Sequence, residues 1–174
     1  MITRKGFTLI EILIVVAIIA ILASIVLVGL GPTQQSGRDA RRLSDIRQVQ
    51  NALELFYNKC GYYPGTITSG ACSLTEPTTW TGMGTMLAAA GLGLGSLPGD
   101  PSSNRSYGYA YAAGNTTYVL AVALENPNNS VFNGYTAPTV PAGSTWITDG
   151  TTIVPNTACT QTLPAGSATY CVSL

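Results

Sequence analysis

Residues 7–30 read FTLIEILIVVAIIAILASIVLVGL, and this apolar stretch decides the architecture of the chain. Positions 12–30 hold no charged side chain, and Ser24 is the one polar residue among them. As a helix the stretch spans about 36 Å, enough to cross a hydrocarbon core of about 30 Å. Arg4 and Lys5 precede it. The positive-inside rule therefore predicts a single-pass membrane protein with a cytoplasmic N-terminus and an exterior C-terminal part.

The composition excludes several classes of function. The chain has 174 residues with eight Lys+Arg, eight Asp+Glu and no His, and charged residues make up only 9%. Without His there are no His-based catalytic triads and no His metal ligands. Arg105 is the one basic residue after Lys59, so a basic surface for nucleic acid is not expected. We predict a structural protein that is not an enzyme, with no cofactor and no metal site.

A second helical pattern follows the apolar stretch. Residues 38–58 carry an apolar column with spacings of 3, 3, 4 and 3, at Leu43, Ile46, Val49, Leu53 and Phe56. Arginines and acids alternate on the other side, which indicates a solvated or subunit-facing surface. Pro32 predicts an interruption between the two patterns. Residues 7–58 should therefore form one long, interrupted helix of about 78 Å.

The remaining residues, 59–174, are rich in Thr, Ser, Gly and Pro and poor in charge. Gly61 and Pro64 should end the long helix. A short helix is predicted over residues 83–94, and alternating patterns predict a hairpin of strands around 107–111 and 117–125. A second hairpin is predicted from residues 146–148 and 151–154, around an Asp-Gly turn. These elements indicate a small β-rich head.

Four cysteines lie in this head, and an exterior location favours disulfides over free thiols. Three connectivities are possible. Sequential pairing needs the shortest loops, each with a separation of twelve residues, so we expect Cys60–Cys72 and Cys159–Cys171. Metal binding would more often show short C-x₂-C spacing, which is absent.

The N-terminal sequence MITRKGFTLIEILIVVAIIAILA closely resembles the class III signal of type IV pilins and pseudopilins. The resemblance implies that a prepilin peptidase cleaves between Gly6 and Phe7 and usually methylates the new amine of Phe7. It also implies that Glu11, the fifth mature residue, pairs with the Phe7 amine of a neighbouring subunit during assembly. An ordinary secretory signal, the alternative, would have a shorter apolar region without an acid.

The head resembles the same superfamily. Residues 61–64 (GYYP) are similar to the GxYP turn of major pseudopilins, residues 97–101 (LPGDP) to their LPxDP segment, and residues 107–125 to their YxY…YxLxxxLE hairpin. A loop closed by Cys159 and Cys171 resembles the D-region of type IV pilins. Major pseudopilins typically bind calcium through acids near the C-terminus. Asp149 is the only acid after Glu125 here, so a calcium site is not expected.

The resemblance implies an α+β pilin fold, in which a long N-terminal helix carries a small antiparallel sheet. The predicted parts are a cleaved leader (1–6), a transmembrane and polymerisation helix (7–31), the amphipathic half of the helix (32–58) and a globular head (59–174).

The predicted function is a prepilin that polymerises into a type IV pilus-like filament. The alternatives are the major pseudopilin of a type II secretion-like or competence system and, less favoured, a membrane-anchored receptor. The implied partners are other copies of the chain, the prepilin peptidase, an assembly ATPase with its membrane platform, and membrane lipid before assembly. The implied location is the membrane, then an extracellular or periplasmic filament.

Overall fold

The computed structural model describes residues 6–66, 72, 76–93, 95–149, 159 and 168–173, with the backbone alone for residues 27–30. The chain divides into two compact units, Met1–Gly37 and Arg38–Leu174, and the boundary between them falls inside the first helix.

Helix α1 covers Leu9–Cys60, close to the predicted range. It ends where Gly61 adopts a positive φ of 81° and donates its N–H to the carbonyl of Tyr57 at 2.7 Å, as expected for a glycine after a helix C-terminus. Pro32 lies inside α1, so the predicted interruption is wrong for this chain. A proline removes one helical hydrogen bond, and here the turns on both sides of it keep their helical geometry.

Helix α2 covers Trp80–Ala89, which begins three residues before the predicted start at 83 and ends before the predicted 94. Thr79 explains the start, because its side chain accepts a hydrogen bond from the Gly82 N–H at 2.9 Å as an N-cap. Gly91, with a φ of 70°, explains the early end. A short 3₁₀ turn, Ser130–Phe132, follows the second strand of the sheet.

The second unit contains a four-stranded antiparallel sheet. Its strands are β1 (Gly108–Tyr111), β2 (Tyr118–Leu124), β3 (Thr145–Ile147) and β4 (Ala168–Ser173), in the spatial order β3-β1-β2-β4. The predicted hairpin of β1 and β2 is confirmed, with Tyr109 opposite Leu120. Residues 146–147 of the second predicted hairpin belong to β3, which pairs with β1, while residues 151–154 lie outside the described residues. The α+β pilin fold predicted from the sequence is confirmed.

Both faces of this sheet are buried, and they differ in the size of the side chains that they carry. On one face large side chains of β1 and β2, such as Tyr109 and Leu120, share a core with the apolar column of α1. On the other face Ala110, Val119 and Ala121 pack with Cys159 and Cys171. Because side chains alternate along a strand, the alternation of large and small residues gives the sheet one face for the helix and one for the disulfide of Cys159 and Cys171.

Candidate functional site

The predicted cleavage and assembly residues lie at the start of α1. Gly6 and Phe7 precede the helix, and Phe7 is 83% exposed. The Thr8 N–H and hydroxyl donate to Glu11 Oε2 at 2.8 and 2.6 Å, and the Glu11 N–H donates back to Thr8 Oγ1 at 3.3 Å. This reciprocal pattern is a capping box, which satisfies backbone donors at a helix N-terminus. Sequence reasoning singled out Glu11 and missed Thr8, although the T-x-x-E spacing signals the motif.

The first unit buries none of its large apolar side chains among the described residues. Those between Leu9 and Val26 are each at least half exposed. Within the described part of the chain, α1 is the one helix long and apolar enough to cross a membrane. Exposing this much apolar surface to water would be costly, so lipid or other protein must cover it.

A buried cluster of charges joins the second unit's part of α1 to the sheet. The guanidinium of Arg42 has no exposed surface and donates to both oxygens of Asp100, at 2.8 and 2.7 Å. It also donates to Asp39 Oδ1 at 2.9 Å, to Glu125 Oε1 at 2.8 Å and to the hydroxyl of Ser102 at 2.9 Å. An arginine is suited to this position because its rigid fork of donors can satisfy several carboxylates at once.

Arg38 and Asp39 complete this cluster. Arg38 forms a bidentate pair with Glu125, at 2.8 and 2.5 Å. Chiefly through this bond, Arg38 lowers the pKa of Glu125 to about 2. Asp39 accepts hydrogen bonds from the backbone N–H groups of Glu125 and Asn126, each at 2.9 Å. It thus gives these two backbone donors a partner where β2 ends. The cluster therefore fixes α1, the turn at 100–102 and the end of β2 to one another.

The prediction that the polar side of α1 is solvated or subunit-facing is therefore wrong at these positions. Asp39 and Arg42 have no exposed surface, and Asp45 is 6% exposed. The signal in the sequence was the pair of acids Asp100 and Glu125 in a head that is otherwise nearly without charge. Buried charges need partners, so these two acids call for cations from elsewhere in the chain.

The cysteines lie in two disulfides with the sequential connectivity. The structure joins Cys60 to Cys72 and Cys159 to Cys171, with Cα–Cα distances of 5.3 and 5.8 Å. The first bridge ties the end of α1 to the segment after it, and the second ties residue 159 to the edge strand β4. Among the described residues, no three His, Cys, Asp or Glu side chains are grouped so as to hold a metal ion.

Comparisons with known proteins agree with this architecture. Residues 1–27 match the prokaryotic N-terminal methylation motif. The chain is 34% identical to type II secretion system core protein G of Escherichia coli K12 over 101 residues, which covers 58% of this chain and 68% of that protein. The chain belongs to the type II secretion system core protein G family. It is thus a member of the type IV pilin and pseudopilin superfamily and a pilin-like filament subunit.

Other members of the core protein G family match over a shorter range. The chain is 32% identical to core protein G of Pectobacterium carotovorum and 33% identical to that of Vibrio cholerae, in each case over 75 residues. These alignments cover 43% of this chain and 48% and 51% of the two relatives, so the chain spans about half the length of each. No solved structure gives a significant match.

Proposed function

We propose that the chain is a prepilin that loses residues 1–6 and then polymerises through its N-terminal helix. A prepilin peptidase cleaves between Gly6 and Phe7 and methylates the amine of Phe7. Before assembly the subunit is held in the membrane lipid by the helix of residues 7–31, with its N-terminus on the cytoplasmic side. The second half of the helix, residues 32–58, and the head of residues 59–174 face the exterior.

The observation that carries this proposal is the position of Glu11. Its carboxylate lies in the first turn of an otherwise uncharged apolar surface, and it meets only the donors of Thr8 among the described residues. Cleavage after Gly6 creates a cation on Phe7, and a pair between this cation and Glu11 of a neighbouring copy offsets the burial of both charges. Because the contact joins different surfaces of two copies, it repeats into an open helical filament.

The test is the substitution Glu11→Ala. The variant should insert in the membrane and be cleaved normally, but the Phe7 amine of its neighbour would be buried unpaired, at about 3 kcal/mol or more per interface. Sheared filaments should therefore be lost while mature monomer accumulates in the membrane. Ser24→Ala is the matched control, because the Ser24 hydroxyl donates to the Ile21 carbonyl of its own helix, at 2.7 Å. A normal filament yield from Glu11→Ala would refute the proposal.

Processing is tested separately. Gly6→Val should block cleavage, because a branched side chain at this position is too large for a protease subsite that accepts glycine. Edman sequencing of filament protein from the parent should begin at Phe7 and show a methylated amine. A start at Met1, or near Ser24, would contradict the proposed processing.

The family favours a type II secretion filament, in which an assembly ATPase and a membrane platform act on the subunit. A type IV pilus-like filament is the second candidate. The observation that favours it is the disulfide of Cys159 and Cys171, which covers the second face of the sheet as a pilin D-region would. Deleting the gene and measuring both secreted proteins and surface filaments separates the two, since a pseudopilus subunit is needed for secretion and a pilus subunit for surface fibres.

A further inference from the structure

In the second unit, α1 carries a stripe of partly or fully exposed residues that repeats every seven positions, as in a coiled-coil seam. We refer to it as the flank seam. Its members are Ala40, Leu43, Arg47, Gln50, Glu54 and Tyr57.

Two residues of the flank seam are charged and lack an ion-pair partner in the described part of the chain. Arg47 is exposed and has no carboxylate within ion-pair distance there. Glu54 is half-buried and accepts hydrogen bonds from the hydroxyls of Tyr63 and Tyr118, at 3.1 and 3.2 Å, but meets no cation. A carboxylate has about four lone-pair positions, so Glu54 keeps room for a further donor.

The spacing of these two charges defines how a second copy of the chain would fit. Arg47 and Glu54 are one heptad apart, about 10.5 Å along the helix axis. All copies enter the membrane with the same orientation, so their α1 helices run parallel. In register, Arg47 would face Arg47 and Glu54 would face Glu54, which is repulsive. A stagger of one heptad instead places Arg47 of one copy opposite Glu54 of the next.

We propose that the flank seam is a contact between copies in the filament, in which Arg47 of one subunit pairs with Glu54 of a neighbour displaced by one heptad. Each subunit offers Arg47 to one neighbour and Glu54 to another, so the contact propagates without closing on itself. The proposal rests on the assembly proposed above. It adds a second, solvent-side contact that fixes the axial stagger of the paired subunits.

A zero-length cross-link tests the pair. Arg47→Lys keeps the positive charge and introduces an amine, which a carbodiimide couples to a carboxylate only when the two groups touch. Filaments of this variant should give a ladder of covalent multimers on a denaturing gel. Mass spectrometry should find the peptide containing position 47 joined to the peptide containing Glu54.

Two controls define the outcome. Arg41→Lys adds an amine on the other flank of α1, next to Asp45 of its own chain, where Arg41 Nε lies 3.8 Å from Asp45 Oδ2, and should give no ladder above the parent. Parent filaments show the background from Lys59. If Arg47→Lys filaments form without the link, the flank seam is refuted. If this variant alone fails to assemble while Arg41→Lys assembles, position 47 is needed for assembly, as the flank seam requires. If the parent itself makes no filament, it is the proposed function that fails.

Discussion

Arg42 illustrates, at the scale of single residues, how a buried charge specifies one arrangement of the head. Its guanidinium meets Asp39, Asp100 and Glu125 at once, and none of its surface is exposed. A buried ion cluster is weak evidence for net stability, because desolvation of the charges opposes their attraction. Removing the arginine alone has a larger effect on stability, because the acids then stay buried without their main cation.

The first prediction follows from this asymmetry. Arg42→Ala should lower the free energy of unfolding by about 3–5 kcal/mol, because it leaves the acids without their main cation. Urea unfolding of the detergent-solubilised chain, followed by tryptophan and tyrosine fluorescence, measures the change. Arg47→Ala removes an exposed arginine of the same helix and should stay within about 0.5 kcal/mol of the parent. Equal losses for the two variants would contradict the role assigned to Arg42.

The second prediction concerns pH. Arg38 lowers the folded-state pKa of Glu125 from the ordinary 4.5 to about 2. Because the Glu125 carboxylate is favoured in the folded state, it stabilises the fold at pH values above its ordinary pKa. This contribution is lost as the pH falls from about 4.5 towards 2. The free energy of unfolding should therefore decrease with acidification across this window. Glu125→Gln should flatten that dependence, whereas Arg41→Gln should preserve it, and an unchanged slope in Glu125→Gln would show that other groups cause it.

At the scale of elements, local patterns identified those parts of the fold whose hydrogen bonds are local. The end of α1 follows from Gly61, and the hairpin of β1 and β2 follows from alternation around Gly114-Asn115, since a helix end and a tight turn depend on neighbouring residues. The strand β4 was not predicted. It pairs with β2 across a sequence separation of about fifty residues, with Ala121 opposite Cys171, and no short pattern encodes that partner.

The residues of the candidate site likewise differ in whether the sequence could predict them. The sequence indicated Gly6, Phe7 and Glu11 because their motif is contiguous. The cluster around Arg42 was missed because its acids come from the turn at 100–102 and from the end of β2, and a helical periodicity reports only which side is apolar. It cannot show that part of the polar side is also buried.

The third prediction concerns the free edge of β4. The Tyr135 hydroxyl donates to the Cys171 carbonyl at 3.0 Å and accepts the Cys171 N–H at 2.8 Å. Unpaired backbone N–H and carbonyl groups on an edge strand can pair with a strand of another molecule, and Tyr135 binds one such group of each kind. Tyr135→Phe should cost about 1–3 kcal/mol of unfolding free energy, because both backbone groups lose their partner. Tyr57→Phe alters an exposed tyrosine and serves as the control; matching urea midpoints for the two variants would refute this role for Tyr135.

At the scale of the whole molecule, the two disulfides each link residues that are twelve positions apart in the chain. Peptide mass spectrometry without reduction should recover Cys60–Cys72 and Cys159–Cys171 from mature protein. Replacing Cys159 and Cys171 together with Ser should expose the face that holds Ala121, and the loss of this one bridge should cost about 3 kcal/mol of unfolding free energy in the chain-entropy model. Crossed peptides, or a double variant as stable as the parent, would contradict this arrangement.

The Thr8–Glu11 capping box also has a consequence for a subunit that has not yet joined a filament. On the proposed mechanism, unassembled subunits wait in the bilayer, where a carboxylate without a hydrogen-bond partner would pair with any basic transmembrane segment. The N–H and hydroxyl of Thr8 donate to one oxygen of Glu11, so on that mechanism the carboxylate has a partner in its own helix until assembly. On the proposed mechanism, recruitment then becomes an exchange of one hydrogen-bonded partner for a stronger one, which favours the correct neighbour over chance encounters.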